Sequence, residues 1–159
     1  MNLKIRRVVT GHNAAGKAVV VKDEVCDNVS SRRPGQEGCV LWTTDTSPAD
    51  NSGDADGARA GIGTTLPNGT VFRIVRYEPG VVPRMHRSNS IDYAIVLEGS
   101  ILMQLDDGAE VTLNAGDTLI QRGTIHNWIN NGTAPCTIAF ALVAAAPVTV
   151  GGKTLHAQG

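Results

Sequence analysis

The sequence predicts an all-β domain, a barrel with an N-terminal β-hairpin in front of it. Three observations carry that prediction. Short runs rich in β-branched residues recur along the chain, X-Gly steps separate them at hairpin spacing, and no long 3.6-residue apolar period marks a helix. With 159 residues the chain suits one domain with a sizeable core rather than two.

The elements follow in order. Residues 4–9 and 18–22 read as two strands joined across Gly11 and Gly16, and 39–42 is a further short apolar run. Residues 43–63 become polar and turn-rich, with Ser47-Pro48, Asn51, Asp54 and Asp56. A loop of that length in a compact domain is usually functional or mobile, and it reads as a flap over the barrel or an arm on a neighbouring subunit. From Val71 the pattern tightens: 71–77, 91–97, 101–105, 110–113, 117–121, 125–130 and 136–143 read as strands. Between them stand Pro79-Gly80, Glu98-Gly99, Asp107-Gly108, Ala115-Gly116, Arg122-Gly123 and Asn131-Gly132, steps that supply the positive φ of tight turns. Such strands close into a barrel, which removes exposed edges. The division expected is 1–63 for the N-terminal strands and long loop packing on the barrel, 64–150 for the barrel, and 151–159 for a C-terminal tail.

Composition narrows the function. Fourteen Lys and Arg against fifteen Asp and Glu give a formal charge of −1, which offers no basic field to a phosphate backbone and speaks against nucleic acid. No stretch approaches the roughly 20 apolar residues of a membrane span. The residues from Met1 to Arg7 lack the apolar run of a signal peptide. Cys26, Cys39 and Cys136 make no closely spaced ligand pair and read as small buried hydrophobes in a reducing cytosol. A cytoplasmic protein is expected.

Alternation along strands assigns the candidate site. His86, Ser88, Asp92, Ala94 and Val96 share a parity, provided that Asn89-Ser90 adds no bulge. Tyr93, Ile95 and Leu97 then face out, to be covered by the N-terminal strands or by a second subunit, and a homodimer is expected. In the later strand His126, Trp128 and Asn130 share a face. Two imidazoles and a carboxylate converge if both faces look into one interior. Arg73 and Arg76 have opposite parity, so one of them faces in, where it would clamp a carboxylate or phenolate. Gln104 and Gln121 could orient a substrate through their amides, and Trp128 could stack on an aromatic one or cap the core. His12 and His156 read as surface residues. Asp54 and Asp56 have the spacing of calcium ligands without the rest of a calcium loop.

Over about residues 70–143 the chain resembles the cupins. Gly80, His86, Ser88, Asp92 and Gly99 stand at the spacing of the first cupin motif, and Gly116, Gly123, His126 and Asn130 match the second. The combination His-Arg-Ser-x-Ser-x-Asp-Tyr, Val-Leu-Glu-Gly and Gln-Arg-Gly-Thr-x-His-x-Trp is similar to a subgroup of small single-domain cupins found in bacteria and near fungal polyketide pathways. The resemblance implies a double-stranded β-helix, a jelly-roll-like barrel, and in such cupins two histidines, a glutamate and a third histidine bind a divalent metal. Ser88 stands here in place of the second histidine, Asp92 in place of the glutamate, and Gln121 in place of a proline.

Two readings of His86, Asp92 and His126 follow. They are the ligands of a weakened two-histidine, one-carboxylate centre for iron, manganese, nickel or zinc, or a metal-free acid–base group. The corresponding functions are a metal-assisted enzyme (oxygenase, isomerase, dehydratase or decarboxylase) acting on a small, aromatic or polyketide-like acid, and a ligand-binding or sensor domain without turnover. His86, Asp92 and His126 are the candidate catalytic residues. Arg73, Arg76, Ser88, Gln104, Gln121, Trp128 and Asn130 are the candidate substrate contacts.

Overall fold

The computed structural model describes residues 3–58 and 61–159, so residues 1, 2, 59 and 60 of the N-terminal segment and long loop lie outside the described residues. Its strands are β1 (Arg6–His12), β2 (Ala18–Val25), β3 (Ser30–Arg33), β4 (Gln36–Thr44), β5 (Thr70–Tyr77), β6 (Ser90–Glu98), β7 (Ser100–Leu105), β8 (Glu110–Asn114), β9 (Thr118–Arg122), β10 (His126–Ile129), β11 (Cys136–Ala144), β12 (Val148–Val150) and β13 (Lys153–Leu155). Among the described residues there is no helix, and so none long and apolar enough to cross a membrane. The all-β expectation holds, and each run predicted from 71 onward is a strand to within a residue or two. β3, β12 and β13 are additional; at three or four residues each they are too short for alternation to stand out.

A six-stranded sheet in the order β3-β4-β5-β11-β6-β9 faces a three-stranded sheet in the order β10-β7-β8. The interior is one apolar cluster fed by both: Val71 and Val75 from β5, Val96 from β6, Ile101 and Met103 from β7, Trp128 from β10 and Ile138 from β11. The two sheets make a jelly-roll-like sandwich, not the single closed barrel expected. Edges remain at β3, β9, β10 and β8, which are short, the usual way to blunt an edge.

Turn chemistry explains the hairpins. Gly80, Gly99, Gly108, Gly116 and Gly123 have positive φ, as the X-Gly steps predict. At Gly99 a Cβ would stand 2.4 Å from the Pro135 carbonyl oxygen, so no other residue fits. Gly132 departs from the expectation. Asn130 makes that turn instead: its Oδ1 accepts from Gly132 N at 3.0 Å, and its Nδ2 donates to the carbonyls of Tyr77 and Ala134, both at 3.0 Å.

The N-terminal hairpin β1–β2 is a separate sheet. The segment around it lays Leu3 and Ile5 over Cys39, Leu41 and Ile74, covering the outer face of β4 and β5. Tyr93, Ile95 and Leu97 remain 46%, 48% and 50% exposed, so the N-terminal strands do not cover them. Arg7 is buried and fastens the long loop, donating to Asp56 at 2.7 and 2.9 Å and pairing with Glu24. That engagement accounts for Asp56 without calcium. Beyond it Ile62 and Leu66 pack on the main core of their own chain. The β12–β13 hairpin spans the place where the tail was expected to begin, and Gln158 then pairs with Arg87.

Candidate functional site

A cavity of about 280 Å³ opens between the sheets, close to the lower end of the usual range for ligand pockets. Its walls hold His86, Asp92, His126, Arg73, Gln121 and Trp128, six of the residues singled out from the sequence. Alternation places them. On β5, Arg73, Val75 and Tyr77 face in, and Arg76 faces out to Glu78, with Nε donating at 2.8 Å. On β6 and β9, Asp92 and Gln121 are cross-strand neighbours on the inner face.

Four expected contacts lie elsewhere. Arg76 is held by Glu78 on the outer face. Gln104 has the opposite parity to Met103, which points into the core, and its Nε2 donates to Glu110 at 2.9 Å near the surface. The side chain of Asn130 is fully engaged in its turn. Ser88 is buried beside a bend at Asn89 and borders a second depression of about 180 Å³, with Gly123 and Val148, rather than the main cavity. His86 and Asp92 keep their shared parity across that bend, and both line the main cavity.

His86 and His126 are tied through the main chain, each amide donating to the other's carbonyl at 2.9 Å. This reciprocal bridge sets the imidazoles 4.3 Å apart between centroids. His86 Nδ1–H donates to the Arg84 carbonyl at 3.1 Å and His126 Nδ1–H to the Thr124 carbonyl at 3.0 Å. A carbonyl can only accept, so Nδ1 carries the proton and each Nε2 keeps a free lone pair. Burial pushes His86 down to about 4, aided by His126 and by Arg84, and burial lowers His126 as well. Both rings are neutral at pH 7. Burial raises Asp92, against the opposing hydrogen bond from Ser90 Oγ at 2.5 Å and the field of Arg73.

The donor set tests the metal reading. Among the described residues no three His, Cys, Asp or Glu side chains gather as a metal site. Two imidazoles are adjacent, Oδ1 of Asp92 is occupied by Ser90, and Ser88 borders the second depression and not this cavity. The residues present do not fit the three-ligand centre that the sequence suggested.

Sequence reading missed Arg32, Arg33 and Arg84, which also line the cavity, together with Gln36 and Thr64. These belong to β3, to the start of β4 and to connecting segments, where no periodicity tells which way a side chain points.

The comparisons agree with this architecture. The family model for the cupin domain matches residues 73–143. The cupin-domain-containing oxidoreductase fogC of Aspergillus ruber is 32% identical over 96% of this chain and 79% of its own. The phomopsin biosynthesis cluster protein C' of Diaporthe leptostromiformis is 36% identical over 94% of this chain and 83% of its own. Among solved structures, the polyketide cyclase RemF from Streptomyces resistomycificus shares the fold with a TM-score of 0.50 and 18% identity, covering 73% of this chain and 74% of that one.

Two measurements check the site. The unfolded chain protonates each histidine near its ordinary value of 6.5, whereas the folded state resists doing so. The contribution of His86 is therefore full above pH 6.5 and falls as pH drops toward 4, by up to about 1.4 kcal/mol per pH unit, and His126 acts in the same sense. Asp92, with its raised pKa, acts in the opposite sense. The fall in melting temperature between pH 7 and 5 is expected to shrink in His86→Gln; an unchanged slope would mean that the folded state holds the imidazole charged. Ser88→His is expected to leave metal binding unchanged, because residue 88 borders the second depression and not the cavity that holds His86 and His126. Tighter binding of added zinc or nickel by this variant, read by titration calorimetry, would restore the three-ligand geometry.

Proposed function

The chain belongs to the cupin family, and on that premise we propose that it is an enzyme acting on a small organic anion by moving a proton within this cavity. One observation carries the reading. Arg73 is buried at 9% exposure and makes no hydrogen bond or ion pair among the described residues, while facing the chamber that holds Asp92 and two neutral imidazoles. A buried cation without a partner is costly, and an acidic substrate supplies the missing charge.

A substrate carboxylate or phenolate seats against Arg73, with the ring edges of Trp128 and Phe140 beside it. Ser90 fixes the Asp92 carboxyl in one orientation. The raised pKa of Asp92 brings it closer to that of a weakly acidic substrate proton, which favours transfer. The free Nε2 atoms of His86 and His126 offer second acceptors, and the imidazolium so formed is destabilised by burial and returns its proton readily. Such a transfer is common to isomerisation, dehydration and the deprotonation that accompanies many oxidations. The relatives named as oxidoreductases and biosynthesis cluster proteins support a role in small-molecule metabolism. No step of this reading passes through a metal. Three free thiols agree with a cytoplasmic location.

We also infer a homodimer. Phe72, Ala141, Tyr93 and Ile120 are in register across β5, β11, β6 and β9, with Ile95 and Leu97 alongside, and Phe72, Tyr93, Ile95, Leu97 and Ile120 are each at least 43% exposed. A second copy would cover this outer face.

A thermal-shift screen of aromatic and keto acids supplies a ligand. Asp92→Asn keeps the size and removes the charge. It is expected to lower turnover of that ligand by about 10²–10⁴-fold with a much smaller change in affinity. A tight ligand that wild type never converts, with or without iron, manganese, nickel or zinc, would make the cavity a binding site and end the enzyme reading. Light scattering across a dilution series is expected to give the mass of two chains, and a monomer at high micromolar concentration would refute the dimer.

A further inference from the structure

Four arginines line one cavity, and among the described residues none pairs with a side-chain carboxylate. Arg32 and Arg33 come from β3, Arg73 from β5, and Arg84 from the stretch before His86. Arg32, at the rim, donates to the carbonyls of Ile62 and Gly63, and Arg84 to the carbonyl of Gly159. Arg33 stands 6.0 Å over the Tyr77 ring with a buried, unpartnered Nε. Arg73 has no hydrogen-bond acceptor among the described residues. Asp92 is the only carboxylate on the walls. The whole chain has a formal charge of −1, so this concentration of cations is local and does not reflect a basic protein.

The four also oppose one another. Burial and the field of Arg84 depress Arg32, Arg33 and Arg73, and Arg32 adds its own field at Arg73. A single negative charge would satisfy one guanidinium and leave most of that repulsion standing. The remaining wall is apolar, formed by Val75, Phe140, Leu142 and Trp128. Beside Asp92 the Oε1 of Gln121, buried at 3% exposure, has no donor. At Gly38 a Cβ would lie 3.3 Å from Arg73 Nη2 and 3.2 Å from Gln36 Nε2, so the glycine leaves the space that the guanidinium uses.

We propose that the substrate is a small organic dianion, an apolar body carrying two acidic groups, with a hydroxyl or N–H that reaches Gln121. This deepens the preceding reading and rests on it. One acid group sits on Arg73 within the cavity, and the other meets Arg33 and Arg84 nearer the rim. The apolar body lies along Phe140 and Leu142.

The test uses phthalate and 2-methylbenzoate, which share a ring and differ by one carboxylate, with sulfate as an inorganic dianion, all at pH 7 and constant ionic strength. Phthalate is expected to bind at least tenfold more tightly than 2-methylbenzoate by calorimetry, with sulfate far weaker than either. Arg33→Met is expected to bring phthalate down to the level of the monoacid. Arg73→Met is expected to abolish binding of both while raising the melting temperature of the ligand-free protein by a few degrees, because it removes a buried unpaired charge. Equal affinity for the two benzoates would overturn the dianion and leave the single-anion reading of the cavity intact. Sulfate matching phthalate would assign the arginines to an inorganic oxyanion. A lower melting temperature in Arg73→Met would make that guanidinium structural, and absence of binding by either organic acid would bring down both readings. Arg33→Met carries the same comparison should Arg73→Met not fold.

Discussion

A strand in a two-sheet sandwich sends alternate side chains inward, away from bulk water, and the placement of every strand-borne residue of the cavity follows from that constraint. Arg73 cannot leave the inner face of β5 without sending Val75 and Tyr77 out of the core with it, since a one-residue slip exchanges the two faces. Asp92 is fixed in the same way by Ala94 and Val96 on β6, and Gln121 by its register opposite Asp92. The burial of the apolar members holds the polar ones where water would otherwise draw them out. Full burial of each valine-sized side chain contributes on the order of 1.5–3 kcal/mol, enough together to offset the desolvation of a few polar groups.

The same rule decides how much could be read beforehand. Wherever a long, regular strand carries a residue, its parity is visible: Arg73 in and Arg76 out, and Tyr93, Ile95 and Leu97 out. The meeting of His86 with His126 was suggested by the family motifs, and pairing between distant segments is not contained in local alternation. Ser88 shows a limit of alternation, since it shares the parity of His86 and Asp92 and yet borders the second depression beside the bend at Asn89 rather than the main cavity. Asn130 shows a second limit. An amide on the right face can be used up by a turn, and only the hydrogen bonds reveal it. Arg32, Arg33 and Arg84 had no signal at all, because short strands and connecting segments carry no period.

The imidazole pair takes its character from the backbone rather than from neighbouring side chains. Main-chain bridging between His86 and His126 sets the ring separation, and two main-chain carbonyls choose the tautomer. No side-chain acid is needed to orient either ring, which leaves Asp92 free for Ser90 and for whatever enters the cavity. In a catalytic pair built on a carboxylate–imidazole bond, the carboxylate would favour the charged ring. Here the rings are kept neutral by burial and by surrounding cations, so the site receives a proton reluctantly and gives it up quickly.

The site also joins two halves of different origin. The strands supply Arg73, Asp92, Gln121 and Trp128 from a packed interior, whereas Arg32, Arg84 and Thr64 come from an edge strand and connecting segments. Arg32 joins the halves by holding the carbonyls of Ile62 and Gly63 in the long loop. A guanidinium has five N–H donors, so those bonds leave capacity for an anion. Arg32 is thus the side chain that the loop and the cavity wall share. At its far end the loop is anchored by Arg7 on Asp56, well away from the cavity. The sandwich that positions Asp92 is held independently of that anchor, by the strand pairing of β6 with β9 and β11.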